Sequence, residues 1–218
     1  FHDSYLKNKD LASATRYLVN ALFETYGVVV IDGNDKALKR QFIPYISDDL
    51  LHSVAHTEVT KSIKALQTVN SSYPVQVNPR EVNMFYLTEG GRHRLVRSAD
   101  GFEVHSTDIR FSEEGILEEL RTYPERFSPN VILRPLYQEV ILPNLAYIGG
   151  SGEIAYWLEL KGFFNKEKVP FPILMLRNSA MLISQRQAEK LQKLQLSVED
   201  LFLKPEDLKN KKVRQLSE

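Results

Sequence analysis

The segment Asn130–Lys161 joins a helical pattern, a short apolar strand, a glycine-rich turn and a second helical pattern. The turn comprises residues Gly149–Glu153. A strand that runs through such a turn into a helix is a building unit of α/β folds, and it presents backbone N–H groups and the helix dipole to an anionic ligand. The segment therefore predicts an α/β protein with a ligand-binding corner after residue 148.

Polar side chains cluster in sequence around this turn. Arg134 and Gln138 lie one helical turn apart, so they share a face, and a guanidinium group can contact a carboxylate or phosphate with two hydrogen bonds. Arg177 follows a predicted strand, at the carboxyl end where ligands gather in open α/β sheets. Two simpler interpretations stay open: a tight strand-to-helix turn with Glu153 favoured by the helix dipole, and an Arg–Glu surface pair. The candidate ligand-binding residues are Arg134, Gln138, Asn144, Gly149, Gly150, Gly152, Glu153, Tyr156 and Arg177.

Helical and extended patterns alternate over the rest of the chain. Apolar spacing predicts helices from Leu11 to Tyr26 and from Ser47 to Val69. The β-branched run Val28–Ile31 predicts a strand that is covered on both faces, as in a parallel sheet. Between Tyr73 and His105 short strand-like segments, the first at Val75–Val77, alternate with glycine turns and predict a small antiparallel meander.

The expected fold is α/β: a Rossmann-like core segment, with a parallel sheet flanked by helices, that carries a small antiparallel β insertion and ends in C-terminal helices. Residues 1–70 are predicted to form a helix–strand–helix part of the core, and residues 71–110 the insertion. Residues 111–183 resume the core with the glycine-rich turn. Residues 184–218 are expected to form a helical segment that leads to a coiled coil. One helix is predicted to start near Ser184, and the capping-box pattern Ser197–Asp200 to open a further short one. The chain opens at Phe1 rather than at a methionine, which indicates a piece of a longer protein.

Composition excludes several classes of function. The 28 basic residues balance 28 acidic ones, so the chain lacks the net positive charge of nucleic-acid-binding proteins, although arginines cluster between Arg92 and Arg97. There are no cysteines, which excludes disulfides and cysteine-ligated metals and is compatible with a reducing compartment. No apolar run is long enough to span a bilayer. We expect a cytoplasmic protein that binds small molecules and neither nucleic acid nor membrane.

Two histidines raise the question of a metal site. His52 and His56 stand one turn apart within the predicted helix, a spacing that metal-binding pairs use. The zincin pattern has a glutamate directly after the first histidine, and this chain has Ser53 there. No metal site is therefore predicted. A metal-dependent phosphoesterase stays open as an alternative function, as does a non-catalytic binding or dimerisation module built on the C-terminal helices.

Several blocks of the sequence carry a resemblance to one known family. The blocks are Gly27–Asp32, Asn83–Leu87, Tyr123–Ser128, Arg134–Trp157, Arg177 and Leu191–Phe202. Together they resemble the cysteine-adding enzymes of bacillithiol biosynthesis, the BshC family of cysteine ligases. The match covers nearly the whole chain, and its most specific part is Arg134–Trp157, which contains the glycine-rich turn.

This resemblance implies a Rossmann-like core akin to that of class I aminoacyl-tRNA synthetases, followed by a long coiled coil through which the parent protein forms a homodimer. It also implies a ligase that joins cysteine to glucosaminyl malate to give bacillithiol, with ATP or another nucleotide as the expected cofactor. Ser151 stands where members of the family commonly carry proline. The family's N-terminal half, with its Gly-Gln-Gln and Glu-Asp-His runs, has no counterpart here, so we predict that this piece does not catalyse alone.

Overall fold

The computed structural model describes residues 1–217 and the side chains of residues 1–215. Two compact units are present, residues 1–177 and the residues from 178 onward. The helices of the first unit are α1 (His2–Leu6), α2 (Leu11–Phe23), α3 (Lys36–Gln41), α4 (Ile43–His52), α5 (Val54–Val69), α6 (Glu113–Thr122), α7 (Leu133–Ile141) and α8 (Ser151–Lys166). Its strands are β1 (Met84–Thr88), β2 (Gly91–Ser98), β3 (Gly101–Val104), β4 (Arg110–Phe111), β5 (Phe127–Pro129), β6 (Ala146–Gly149) and β7 (Ile173–Leu176).

Five strands form an antiparallel sheet in the order β4-β3-β2-β1-β5. Phe85 lies opposite Arg94 in the first hairpin, and Leu95 lies opposite Val104 in the second. The strands predicted within residues 84–105 are confirmed. The sheet also continues past residue 110, because β4 pairs with β3 and β5 pairs with β1. The division at residues 70, 110 and 183 stays a prediction.

The segment Val75–Val77 is not a strand, contrary to the prediction. The backbone N–H groups of residues 76 and 77 donate instead to the carboxylate of Glu159 on α8, at 2.8 and 3.2 Å. The Tyr73 hydroxyl donates to the Ala155 carbonyl on the same helix at 2.9 Å. A side chain from a helix distant in sequence thus satisfies the hydrogen bonds that a neighbouring strand would supply.

Parallel pairing is limited to two strands. β6 and β7 are parallel, with Ile148 opposite Met175, and both side chains are exposed. A larger parallel sheet is not confirmed, since Val28–Ile31 is irregular and pairs with no strand within residues 1–217. Val29 is 76% exposed. A β-branched run forms a strand only where another strand takes its backbone hydrogen bonds and another layer covers its side chains.

The predicted helix from Ser47 to Val69 is two helices, so that prediction was wrong. Ser53 adopts a left-handed φ of 48° and separates α4 from α5. The break lets α4 bury Leu50 and α5 bury Ala55, both completely, on helices with different axes. His52 and His56 therefore lie on different helices, and the one-turn spacing that suggested a metal pair does not hold.

One hydrophobic core lies between the antiparallel sheet and helices α4–α8. Its largest fully buried apolar side chains include Phe42, Phe102, Phe127, Trp157, Phe163 and Phe164. Helices α5 and α8 approach closely at Gly162, where an added Cβ would lie 2.5 Å from the Ser62 hydroxyl. This contact fixes α8, and with it the glycine-rich turn at its start.

The second unit contains α9 (Gln185–Lys193), a 3₁₀ helix (Glu199–Phe202) and α10 (Pro205–Ser217). The Ser184 hydroxyl caps α9 by accepting the Gln187 N–H. The Asp200 carboxylate accepts the Ser197 N–H at 3.0 Å, and the Asp200 N–H donates to the Ser197 hydroxyl at 3.3 Å. Both predicted helix starts are therefore confirmed. A coiled coil past residue 217 lies outside the described residues and stays a prediction.

Candidate functional site

The predicted corner forms as a strand-to-helix turn. β6 ends at Gly149, Gly150 precedes the first turn of α8, and the Glu153 carboxylate accepts the Gly150 N–H at 2.9 Å. The Tyr147 hydroxyl donates to the same carboxylate at 2.9 Å. These two hydrogen bonds hold the pKa of Glu153 below its usual range. A carboxylate of the chain itself therefore occupies the helix N-terminus, where the sequence suggested a bound anion.

The three glycines of the turn differ in their surroundings. A Cβ at Gly149 would lie 2.7 Å from the Tyr147 ring, so a larger residue does not fit there without displacement. A Cβ at Gly150 would lie 3.3 Å from the Arg177 guanidinium group. The backbone N–H of Arg177 donates to the Gly149 carbonyl at 2.9 Å. At Gly152 no atom of residues 1–215 outside the adjoining backbone lies within 4 Å of such a Cβ. The first two glycines thus contact Arg177, whereas the third faces open space.

Arg134 is the centre of a hydrogen-bond network beside the corner. Its guanidinium group donates to the Tyr156 hydroxyl at 2.7 Å and to the Gln138 side-chain oxygen at 3.1 Å. Because Arg134 lies on α7 and Tyr156 on α8, the network joins the two helices that flank the turn. Arg134 makes no salt bridge within residues 1–215, so the simple Arg–Glu surface pair is not found.

Asn144 is linked to this network through Glu139. Its backbone N–H and its side-chain amide both donate to the carboxylate of Glu139, each at 2.8 Å. Glu139 is 3% exposed and also accepts a hydrogen bond from Gln138 at 3.1 Å. The Asn144 amide is therefore used to close the bend between α7 and β6.

A cleft of about 470 Å³ adjoins Arg134. We call it the cationic cleft and define it by six of its lining residues: Lys39, Arg92, Ser128, Arg134, Tyr137 and Gln138. Arg134 and Gln138 belong both to this cleft and to the network beside the glycine turn. In the part of the chain that the structure describes, no aspartate or glutamate lines the cleft.

Lys39, on α3, was not predicted as a site residue. Its side chain is 2% exposed, and its Nζ donates to the Phe127 carbonyl. Burial, and after it the nearby charge of Arg92, lowers the pKa of Lys39 to about 8. A signal was present in the sequence: Lys39, Phe42 and Ile46 recur at helical spacing and both apolar residues are fully buried, so a lysine interrupts an apolar pattern.

Arg92, on β2, was also missed. Its guanidinium group donates to the Ser128 hydroxyl at 3.1 Å and to the Pro129 carbonyl at 2.9 Å, and it lies 3.7 Å from the centre of the Phe85 ring. The Arg92 side chain therefore extends from β2 over Phe85 on β1 to Ser128 and Pro129 on β5. Its only sequence signal was the arginine cluster that begins at this position.

Neither a metal centre nor a membrane span appears in the described residues. Among residues 1–217 no three His, Cys, Asp or Glu side chains come together in an arrangement that could hold a metal ion. None of the helices described is both long enough and apolar enough to cross a bilayer.

A family model described as "Bacillithiol biosynthesis BshC, N-terminal Rossmann-like domain" matches residues 1–178. The chain belongs to the BshC family. A relative from Flavobacterium psychrophilum is 53% identical over 218 residues, and one from Christiangramia forsetii is 50% identical over 219 residues. A third, from Lysinibacillus sphaericus, is 35% identical over 190 residues, which are 85% of this chain and 35% of that relative. All three are named "Putative cysteine ligase BshC".

The first two BshC relatives match the chain over its whole length, while the chain spans 40% of theirs. The match of the family model confirms a Rossmann-like domain, and the structure adds that the larger sheet of this BshC segment is antiparallel. The roles of the predicted site residues in BshC chemistry stay proposals.

Proposed function

We propose that this chain is part of a cytoplasmic ligase that adds cysteine to glucosaminyl malate to form bacillithiol. Membership of the BshC family and the names of the relatives support a ligase of bacillithiol biosynthesis. One observation carries the proposal for the site. Arg134 is half-buried, is shared between the glycine turn and the cationic cleft, and within residues 1–215 has only neutral hydrogen-bond partners.

Activation of a carboxylate is the chemical requirement. Amide formation from a free carboxylate is uphill, so we propose ATP or another nucleotide as the activating cofactor. Activation develops negative charge on phosphate oxygens, and guanidinium groups already held in place stabilise such charge. Arg134 and Arg177 are the proposed donors. Because Glu153 already accepts the Gly150 N–H, these guanidinium groups, rather than that amide, would hold the anion.

The remaining candidates are proposed to orient the reactants. Tyr156 and Gln138 hold the Arg134 guanidinium group and are positioning residues. Glu153 offers a carboxylate beside the turn that could bind the amino group of cysteine or of the sugar malate. Asn144 acts indirectly, since its amide is bonded to Glu139. Gly152 leaves open space through which a ligand can approach the backbone of α8.

Substitution of Arg134 tests the proposal. In a full-length BshC protein that contains this segment, Arg134→Gln should lower the rate of bacillithiol formation by about 100-fold or more, the loss expected when a donor that stabilises developing charge is removed. Mass spectrometry of the product from cysteine, glucosaminyl malate and ATP measures the rate. Thermal unfolding checks that the variant is folded.

Arg121→Gln is the matched control, because Arg121 is exposed on α6 and, within residues 1–215, forms a salt bridge only with Glu118 on its own helix. It should leave turnover unchanged. If the Arg134 variant is as active as the control, the role proposed for Arg134 is wrong, and so is the proposed site.

We further propose that the 218-residue chain is inactive by itself and that the parent protein is a homodimer joined by its coiled coil. The first proposal is supported by coverage of only 40% of the relatives' length. The second rests on the family resemblance.

A further inference from the structure

The cationic cleft holds three cations, and the carboxylates that act on them lie outside its lining: Asp32 and Glu125 act on Lys39, and Glu153 is acted on by Arg134. Lys39, Arg92 and Arg134 line the cleft, and none of them forms a salt bridge within residues 1–215. Arg97 and Arg126, by contrast, pair with carboxylates at 3.2 and 2.7 Å. Lys39 is buried and Arg134 is half-buried, whereas Arg92 is exposed. Burying the first two cations without a directly paired anion is unfavourable. The cleft is therefore suited to an anion that comes from outside the chain.

The cations also act on one another. After burial, the charge of Arg92 is the strongest influence that lowers the pKa of Lys39. Like charges at this range repel, and an anion placed between them would turn the repulsion into attraction. The two arginines are held in place by neutral groups: Arg92 by Ser128, and Arg134 by Tyr156. Little ordering of these side chains would be needed on binding.

The walls of the cleft indicate the kind of anion. Ile31, Pro129 and Ile141 line the same cleft and provide apolar surface, which suits a ligand with a carbon body. The volume of about 470 Å³ lies in the range of small-molecule sites. Guanidinium groups match the planar geometry of carboxylates with paired hydrogen bonds. Three cations at one site favour a ligand with more than one negative charge.

We propose that the cationic cleft binds a small organic dicarboxylate, with Arg92 and Arg134 as carboxylate partners and Lys39 as the third cation. This proposal deepens the proposed function: it assigns the dicarboxylate end of the acceptor to this cleft and the activated carboxylate to Arg177 and the glycine turn, with Arg134 between the two and shared by both. The inference uses the proposed function only for that assignment, and binding itself can be tested without turnover.

Calorimetric titration of the 218-residue chain at neutral pH and low salt is the test, with L-malate as the probe. We expect saturable binding of malate, and binding of the monocarboxylate lactate that is weaker by at least about tenfold, since one charge-assisted contact is lost. Inorganic phosphate and ATP are titrated separately. Absence of saturable malate binding, or tighter binding of phosphate or ATP at the same residues, would overturn the inference.

Variants locate the binding. Arg92→Gln should weaken malate binding by about tenfold or more, whereas Arg94→Gln, two residues along β2 and outside the cleft, should change it less than about twofold. Lys39→Met removes the positive charge but keeps a side chain of similar length at the buried position, and it should also weaken malate binding. Circular dichroism verifies folding of each variant. Equal malate affinity in the Arg92, Lys39 and Arg94 variants would place the ligand elsewhere.

The two proposals can fail separately. If malate binds and Arg92→Gln abolishes binding, but the full-length protein forms no bacillithiol, the proposed function is wrong and the site stands. If the full-length protein forms bacillithiol and Arg92→Gln leaves the KM for glucosaminyl malate unchanged, the dicarboxylate site is wrong and the function stands.

Discussion

Two glycines of the same turn meet different surroundings, so the same substitution should affect them in opposite ways. A methyl group at Gly149 would lie 2.7 Å from the ring of Tyr147. That ring cannot easily move, because it stacks on the buried ring of Trp157 with 4.1 Å between the ring centres. Gly149→Ala should therefore lower the free energy of unfolding by about 1–3 kcal/mol. Gly152→Ala, in the first turn of α8 with open space around it, should leave that free energy unchanged or raise it by up to about 1 kcal/mol.

Urea-induced unfolding of the 218-residue chain, followed by the fluorescence of its single tryptophan, measures both variants. Equal effects of the two substitutions would contradict the packing difference. The pair also separates structure from ligand contact. If Gly152→Ala unfolds normally but abolishes turnover of the full-length protein, a ligand must approach the backbone at this glycine.

At the scale of single residues, proximity along the chain decided what could be predicted. Arg134, Gln138 and Tyr156 lie on α7 and α8, which are separated along the chain only by β6 and two short bends, so their meeting was within reach of the sequence. Lys39 reaches the same region from α3, and its contact with Phe127 joins positions 88 apart. Which face of α3 would meet β5 is decided by the packing of the whole core, and no local pattern contains that information.

At the scale of elements, Glu159 holds the irregular segment 75–77 against α8. Its carboxylate is completely buried and accepts two backbone N–H groups. Glu159→Ala would leave two donors without partners at a buried position, so it should lower the free energy of unfolding by about 3 kcal/mol. Glu159→Gln keeps one acceptor oxygen and should cost about half as much. Chemical denaturation of the three proteins gives these values.

Hydrogen exchange shows whether the loss is local. In Glu159→Ala the amides of residues 76 and 77 should exchange much faster than in the parent chain, because their acceptor is gone. Lys161→Ala, at an exposed position on the same helix, should alter neither stability nor exchange at these amides. Unchanged protection of both amides in the Glu159 variant would show that another group supports the segment.

Elements with signals inside their own sequence were predicted, and elements decided by distant contacts were not. The start of α8 follows from the glycine turn and Glu153, and the start of α9 from Ser184. The segment 75–77 has strand-like residues, but Glu159 takes its N–H groups. Ser53 has a left-handed φ of 48° and breaks a continuous helical pattern, and the helices on either side each bury their own apolar residues. Local propensity yields to packing in both cases.

At the scale of the whole molecule, apolar surface marks where the α/β arrangement is incomplete within the described residues. Val28–Ile31 lacks a strand partner, and β6 and β7 form a pair whose outer side chains include exposed Ile148 and Ile173. The sequence pattern of Val28–Ile31 predicts a strand covered on both faces. The chain spans 40% of the length of its relatives. The predicted coverage and the observed exposure agree if residues from the other 60% of a full-length protein cover these side chains.

A charge placed on this surface tests that explanation. Val29 and Ile173 are 76% and 68% exposed, so Val29→Lys and Ile173→Lys should change the free energy of unfolding of the 218-residue chain by no more than about 0.5 kcal/mol. In the full-length protein the same substitutions should cost more than about 2 kcal/mol, because covering strands would bury an unpaired charge. Val69→Lys, at a position that is 89% exposed at the end of α5, is the control and should be neutral in both proteins. Denaturant titrations of matched short and full-length variants give the comparison. If all three substitutions are neutral in both proteins, the strands stay uncovered, and the inactivity proposed for the short chain needs another cause.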